Sequence, residues 1–289
     1  MPASMLPPSE SSVMKETPEP TTLCPGEFRD RFYLFYRANR RDLPWRETRE
    51  PYRILVSEFM LQQTQVARVL EKYDGFIMRF PDFTALHAAP VEELLREWQG
   101  LGYNRRALAL KRTASLIMTE WSGALPDDEE ALLSFPGIGK ATAAAIRAFA
   151  FGKPSVLLET NIRRVFIHCF FHDRPVVTDE EILPLVEETL DRENPRDWYY
   201  ALMDYGAYLG RTKENPNRRS RQYKKQSPFE GSVRQLRGKI LALLVKHGTL
   251  TIEELCRETG LSPDRVDPVL SALAKEGFIA PERDMVKIT

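Results

Sequence analysis

The sequence predicts a mainly α fold with a short β-hairpin at its carboxyl end. Three observations predict it. Apolar residues recur at helical spacing from Phe28 to about residue 212, in segments cut by Pro or Gly. Alternating strand patterns are almost absent before residue 248. After a strongly basic stretch the helical period returns, then gives way to two short β patterns near the end.

Each element follows from local chemistry. Residues 1–25 are rich in Pro, Ser, Thr and Glu and poor in apolar side chains. Such a segment cannot bury enough surface to offset its ordering entropy, so a disordered tail is expected. One helix over Tyr52–Phe76 is predicted from Ile54, Leu55, Phe59, Met60, Val66, Val69, Leu70 and Tyr73, and Pro51 suits its first turn. Further helices are predicted over Val91–Trp98, Arg105–Trp121, Glu129–Ser134, Lys140–Phe151, Ile162–Phe171, Asp179–Asp191 and Arg196–Leu209. Beyond residue 233 come Arg234–Lys246, then Thr251–Thr259 with its Thr-x-Glu-Glu opening, then Ser262–Glu276 after Gly260. Gly277–Ala280 and Met285–Ile288 fit two strands. That order over 233–289 is winged-helix-like. Asp264–Lys275 would be its recognition helix, but Asp264, Asp267 and Glu276 make the helix acidic, and a docking domain fits equally well.

At 289 residues the chain can build a sizeable core. Lys plus Arg and Asp plus Glu both total 41, so the global charge says nothing of a nucleic-acid partner. Locally, Arg211, Lys213, Arg218, Arg219, Arg221, Lys224, Lys225, Arg234, Arg237 and Lys239 face only Glu214 and Glu230. A solvated linker over 213–232 and a strap that tracks phosphates are both compatible with this run. The three cysteines, Cys24, Cys169 and Cys256, are far apart with no C-x-x-C pair, which argues against a disulfide framework or a zinc ribbon. No apolar run approaches the ~18 residues of a membrane span, and the start lacks the basic-then-apolar signal peptide pattern. A soluble cytoplasmic protein is expected, with no membrane partner.

The most informative motif is Leu132–Ile146, in which Pro136-Gly137-Ile138-Gly139 joins two short helical patterns. Gly137 and Gly139 let the backbone approach a partner, and the amides opening the next helix, at Lys140, have no intrahelical acceptors. A phosphate fits such a place, and a DNA duplex offers many. Leu158-Glu159-Thr160-Asn161 then sets a carboxylate just before another helix.

Four segments in order carry a family resemblance: Leu43-Pro44-Trp45-Arg46, Ser57-Glu58-Phe59-Met60-Leu61-Gln62-Gln63-Thr64-Gln65-Val66, Gly100-Leu101-Gly102-Tyr103, and the hairpin with Glu159-Thr160-Asn161. Together they resemble the helix-hairpin-helix DNA glycosylases, specifically the adenine glycosylases of the MutY type, over about residues 26–212. The resemblance implies the two-subdomain fold of that family, ahead of the winged-helix-like domain. It implies double-stranded DNA with a mismatched or damaged base as partner, a monomer, and a nucleoid-associated location.

Base release from DNA needs a proton for the leaving base and a negative charge beside the cationic sugar. Two carboxyls in different environments can hold those opposite states. Glu58 lies between Val56 and Phe59, where desolvation would keep it protonated, and it matches the family's acid. Glu159 stands where the family carries the cation-stabilising Asp, one methylene longer here; a helix-capping carboxylate is the alternative reading. Arg46, Leu61, Asn161, Tyr200 and Ala141 match positions near the base or sugar. Gln63, Thr64 and Tyr103 match the residues that wedge the stack and face the opposite base, and Leu101 and Gly102 complete that DNA-binding loop. Gly137, Gly139 and Lys140 would hold the phosphate backbone.

Several departures shape the expectation. Bifunctional relatives carry a nucleophilic Lys two residues after the second hairpin glycine; here Ala141 stands there, so a monofunctional enzyme is expected. Met203-Asp204-Tyr205-Gly206-Ala207 is followed by no cysteines, so no iron–sulfur cluster and no metal is expected. The resemblance admits a monovalent cation at the hairpin. Tyr200 replaces an acidic or amide residue, and the terminal domain differs from the family's lesion-sensing module. The expected activity is excision of adenine opposite 8-oxoguanine or guanine. The alternatives are a thymine or uracil glycosylase acting opposite guanine, and a mismatch-binding protein without catalysis.

Overall fold

The computed structural model describes residues 24–289. The expected disordered tail lies outside the described residues up to residue 23; Cys24 and Pro25 already begin a helix. The chain divides into two compact units, Met1–Arg41 with Val156–Lys224, and Asp42–Ser155 with Lys225–Thr289.

In chain order the helices are α1 (Pro25–Asn39), α2 (Pro51–Leu61), α3 (Val66–Arg79), α4 (Phe83–Ala88), α5 (Val91–Trp98), α6 (Arg105–Glu120), α7 (Glu129–Ser134), α8 (Lys140–Phe151), α9 (Thr160–Phe170), α10 (Asp179–Thr189), α11 (Pro195–Thr212), α12 (Val233–His247), α13 (Ile252–Thr259) and α14 (Pro263–Glu276). No helix among the described residues is long and apolar enough to cross a membrane.

The first unit is α1, α9, α10 and α11. Its core is aromatic: Phe28, Phe32, Phe166 and Trp198 are fully buried and meet at ring-centroid distances of 4.6–6.0 Å, several of them edge-on. Helix α11 comes close to α9 because Gly206 has no side chain; a Cβ there would collide with the Asn161 backbone carbonyl. Asp204, two residues earlier and buried, accepts from the backbone amide and guanidinium of Arg41. The Met-Asp-x-Gly-Ala run is thus a packing motif.

The second unit buries Tyr52, Leu55, Val56, Phe59, Val69, Phe76, Trp98 and Ile146 in one core, which continues into Ile240, Leu244, Leu273 and Phe278 of the terminal region. One expectation fails here. Tyr52–Phe76 is two helices, because the chain breaks at residues 62–65, where Gln63 turns to φ +54°. A left-handed residue cannot continue a right-handed helix.

The terminal region is the expected three helices and hairpin, plus one short strand absent from the sequence reading. β1 (Thr249–Thr251), β2 (Ile279–Glu282) and β3 (Met285–Ile288) form an antiparallel sheet in the order β1-β3-β2, with Leu250 opposite Val286 and Ala280 opposite Lys287. A three-residue strand is too short to show an alternation in sequence. Glu276, at the end of α14, accepts from Arg105 (2.6 and 2.8 Å) and Arg237 (2.6 and 3.1 Å). The hydrogen bond from Arg105, reinforced by Arg237 against the opposing pull of burial, brings its carboxyl down to about 2. Arg112 adds a bond to the Glu276 carbonyl (3.0 Å). These contacts pin α14 to α6.

Candidate functional site

The hairpin joins α7 to α8 through Pro136-Gly137-Ile138-Gly139. Gly137 has φ +83°, and a Cβ there would lie 2.8 Å from the Phe59 ring and 3.0 Å from the Ala109 methyl. Conformation and space both demand glycine. The Thr113 hydroxyl donates to Pro136 O (3.1 Å), and the Gln62 amide donates to Gly137 O (3.0 Å) and lies 3.2 Å from Thr142 Oγ1. Gly139 differs. It is extended (φ −99°), and a Cβ there would meet nothing within 4 Å. Its value is the open space before α8, whose first amides no side chain caps. Lys140 and Ala141 are exposed beside that space.

Next to the hairpin stand two bent loops, residues 62–65 and 99–104. Gln63 (φ +54°) and Tyr103 (φ +47°) are non-glycine residues in the left-handed region, and both are exposed. Such strain persists only where surrounding contacts hold it, and it concentrates at functional positions. Here the holding group is one buried guanidinium. Arg106 Nη1 donates to Phe59 O (2.8 Å), Met60 O (2.8 Å) and Gln62 O (2.6 Å). Its Nη2 donates to Thr64 Oγ1 (2.8 Å), Leu101 O (3.1 Å) and Gly102 O (2.9 Å). The carbonyls at the end of α2 have no intrahelical donor, so Arg106 caps the helix and ties both loops to it. The guanidinium carbon also lies 5.5 Å from the Trp98 ring and 5.6 Å from the Tyr103 ring. Burial pulls Arg106 down to about 10, which leaves it charged at neutral pH.

This brace changes the expectation for two loop residues. Leu101 is 2% exposed, its side chain in the core and its carbonyl on Arg106. The Thr64 hydroxyl is turned inward, onto Arg106 and the Leu101 carbonyl (3.2 Å). Gln63, Gly102 and Tyr103 are the three of the five that face solvent.

Glu58 is the one residue between Ile54 and Met60 that is not fully buried; its neighbours on α2 are closed into the core. Arg46 and Leu61 belong to the same unit, Arg46 6% exposed on a 3₁₀ turn and Leu61 packed against the core.

The first unit holds the other candidates. Glu159 caps α9, its Oε1 accepting from the amides of Asn161 (2.7 Å) and Ile162 (2.9 Å), its Oε2 near Asn161 Nδ2 (3.3 Å). Burial pushes the Glu159 carboxyl up from the usual carboxylate range, against the pull of those amides and of Arg164 and Arg163. The capping reading is therefore correct as geometry, and it fixes the carboxylate in one place. Asn161 is held in turn: Arg164 donates to Asn161 Oδ1 (2.9 Å) and Gly206 O (2.6 Å). Tyr200 is 3% exposed on α11, with the Arg196 guanidinium 5.2 Å from its ring centre.

Residues 213–220, placed by sequence in a basic linker, are folded onto α9. Asn217 Nδ2 donates to Thr160 O (2.9 Å), Asn215 Oδ1 accepts from Arg164 (3.2 Å), and Arg219 donates to the carbonyls of Phe171 and His172. Arg221 pairs its amide with Val177 O (2.9 Å). Of the basic run, Arg218, Arg234, Arg237 and Lys239 also have protein partners, while Arg221, Lys224 and Lys225 are exposed. The iron–sulfur cluster of the resembled family needs thiolates in this stretch, and it has none. Cys169 lies buried in α9 with its thiol pushed up to about 12 by burial. This donor set does not fit a cluster.

Arg106, Gln62 and Arg164 were not singled out by sequence reading. A buried arginine that serves carbonyls looks, in sequence, like any helical surface arginine; only the Gly-x-Gly-Tyr-x-x-Arg spacing to Arg106 hinted at a loop it could reach.

Residues 56–190 match the family model of HhH-GPD superfamily base excision DNA repair proteins. Residues 235–280 match that of the RNA polymerase III subunit RPC82 helix-turn-helix domain. The chain is similar to an adenine DNA glycosylase of Mycobacterium tuberculosis, with 35% identity covering 78% of this chain and 82% of the relative. It is also similar to a thymine/uracil-DNA glycosylase of Methanothermobacter thermautotrophicus, with 32% identity covering 61% and 80%. Among solved structures, a thermostable thymine-DNA glycosylase aligns with TM-score 0.59 and 28% identity over 66% of this chain and 90% of that one. A non-covalent endonuclease III–DNA complex shares the fold, with TM-score 0.51 and 21% identity over 72% and 91%.

Proposed function

The chain belongs to the HhH-GPD superfamily of base excision DNA repair proteins, and within it to the MutY-type DNA glycosylases, and on that footing we propose that it excises adenine mispaired with 8-oxoguanine or guanine in double-stranded DNA. The observation that carries the chemistry is the contrast between its two carboxyls. Glu58 is the one half-buried residue in the stretch Ile54–Met60, otherwise closed into the core, and Glu159 is clamped on two backbone amides.

Glu58, protonated, gives its hydrogen to a ring nitrogen of the extruded base. The C1′–N bond breaks, and its electron pair leaves with the base. Glu159, ionised, stabilises the positive charge that develops on the sugar. Water then adds at C1′ and gives up a proton to a carboxylate, leaving an intact abasic site. The solvent-facing Gln63 and Tyr103 fill the gap in the base stack, and the open amides of α8 with Lys140 hold a phosphate. A monovalent cation at the hairpin carbonyls is compatible with this contact.

Three finer features belong to the same proposal. With Ala141 after Lys140, no amine is placed to attack the sugar, so the enzyme is monofunctional and borohydride traps no adduct with DNA. Its purified form lacks the visible absorbance of an iron–sulfur cluster. It works as a monomer, at the nucleoid.

The test is a panel of duplexes holding A:8-oxoguanine, A:G, T:G and U:G, assayed in single turnover with a Glu58→Gln control. Adenine release that the control abolishes supports the proposal. Release confined to T:G and U:G establishes the second reading, which the similarity to the thymine/uracil enzyme favours. Binding without product in every duplex overturns both and leaves a non-catalytic mismatch binder.

A further inference from the structure

A groove of about 1060 Å³ runs along the second unit, between the two bent loops on one side and residues 226–245 on the other. Tyr103 stands in it, 37% exposed. Its phenol is not free to rotate between roles. Arg234 Nη1 donates to the Tyr103 oxygen (3.1 Å), and Gln226 Nε2 donates to the same oxygen (2.5 Å). Arginine has no acceptor, so the phenol oxygen must be the acceptor in that bond. Arg234 is itself fixed, its other nitrogen donating to Ser227 O (2.8 Å). The Glu276 contacts keep α12 and α14 in place on α6, so the donors cannot drift away. With its oxygen engaged twice, Tyr103 retains one hydrogen-bonding function, the donation of its own proton.

We propose that Gln226 and Arg234 are specificity-determining residues that set Tyr103 as a donor-only probe of the base left without its partner. The proposal rests on the reading of this chain as a mismatch glycosylase and names what it senses opposite the excised base. A donor-only phenol favours bases that present a carbonyl oxygen, guanine O6 or thymine O4. It disfavours adenine and cytosine, which present an amino group at the equivalent position. The terminal region thereby takes part in recognition through its leading segment and first helix, without its acidic α14 entering a groove of the DNA.

The full chain is titrated, at fixed salt, onto duplexes with an uncleavable tetrahydrofuran site facing G, T, A, C or no base. The expected result is binding about tenfold tighter opposite G and T than opposite A and C, the size of one hydrogen bond. Gln226→Leu combined with Arg234→Met is expected to bring that ratio to about one, with affinity for the duplex lacking an opposite base unchanged. Arg234→Lys, which keeps a donor, is expected to retain part of the ratio. Tyr103→Phe should erase it, with no further loss when combined with the double variant. No keto preference in the wild type, a ratio that survives the double variant, or an equal loss on every duplex would each overturn the proposal. Because the readout is binding, a wild type that excises nothing defeats the proposed function while leaving this ratio measurable.

Discussion

The two units of this chain handle backbone strain in opposite ways. Every described residue with positive φ, glycine or not, belongs to the second unit: the bent loops, the hairpin, the turns that close α6 and α8, and the turns of the terminal region. The first unit has none among its described residues. It sets the Glu159 carboxylate by an ordinary device, a helix cap, and secures the neighbouring loop with Asn215, Asn217 and Arg219. At Gln63 and Tyr103 the second unit bends its chain into conformations that cost on the order of 1–3 kcal/mol each, and one buried arginine braces both loops. The difference teaches where a partner must be met by shape. Under the proposed function, residues that invade a base stack need backbone that no regular element supplies, whereas a charge that waits for a cation needs only to stay put.

The largest expected effect bears on the second unit. Glu58→Gln keeps the side chain's size and removes its proton-donating carboxyl, so excision should fall by about 10²–10⁴-fold while duplex binding and the circular dichroism spectrum stay as in the wild type. Unchanged single-turnover release would remove Glu58 from the chemistry.

Arg106→Met comes next. It leaves the carbonyls at the end of α2 and of both loops without their buried donor, and the expected loss of stability is about 3 kcal/mol or more, read as a lower unfolding midpoint. The loops should relax as well, so discrimination between a mispair and a matched duplex should decline in whatever protein remains folded. A variant that keeps both its midpoint and its discrimination would show that the strain at Gln63 and Tyr103 is held by something else.

Glu159→Gln tests the first unit's device. The amide oxygen can still accept from Asn161 and Ile162, so α9 keeps its cap, but the negative charge is gone. A loss of about a hundredfold in single-turnover base release is expected. The pH dependence sharpens this. Burial favours the protonated carboxyl, so the carboxylate forms only above the usual carboxylate range. Activity should therefore fall with decreasing pH from a point higher than an exposed glutamate would give, and the Gln variant should lack that acid limb.

Much of this contrast was legible in the sequence, and its limits are physical. Helical periodicity located α5 through α14 to within a few residues because each buries one apolar face. The Pro-Gly-x-Gly turn and the Glu-Thr-Asn start were readable because glycine and capping residues act locally. The break at 62–65 was hidden because Gln63 is held left-handed by Arg106, forty-three positions away in the chain, and nothing in a glutamine announces positive φ. Leu101 belongs by sequence to the DNA-facing loop, yet its side chain lies in the core, since a two-glycine loop leaves side-chain orientation to packing. The folded state of 213–220 was equally silent. The segment reads as linker because Asn217 and Arg219 bond to main-chain carbonyls at the start of α9 and just past its end, which no side-chain pattern reveals.

The smallest expected effect isolates that last point. Asn217 is buried, and its amide donates to the Thr160 carbonyl at the start of α9, next to Glu159. Asn217→Ala removes a single neutral hydrogen bond, so a stability loss of about 1 kcal/mol is expected. If the loop serves only to hold α9, base release and its pH profile should match the wild type at temperatures where both are folded, because the Glu159 amide contacts do not involve Asn217. A shifted acid limb with little loss of stability would instead mean that this loop tunes the carboxylate directly. The first unit would then depend, like the second, on a distant side chain to set its chemistry, and the contrast between the two would narrow to backbone conformation alone.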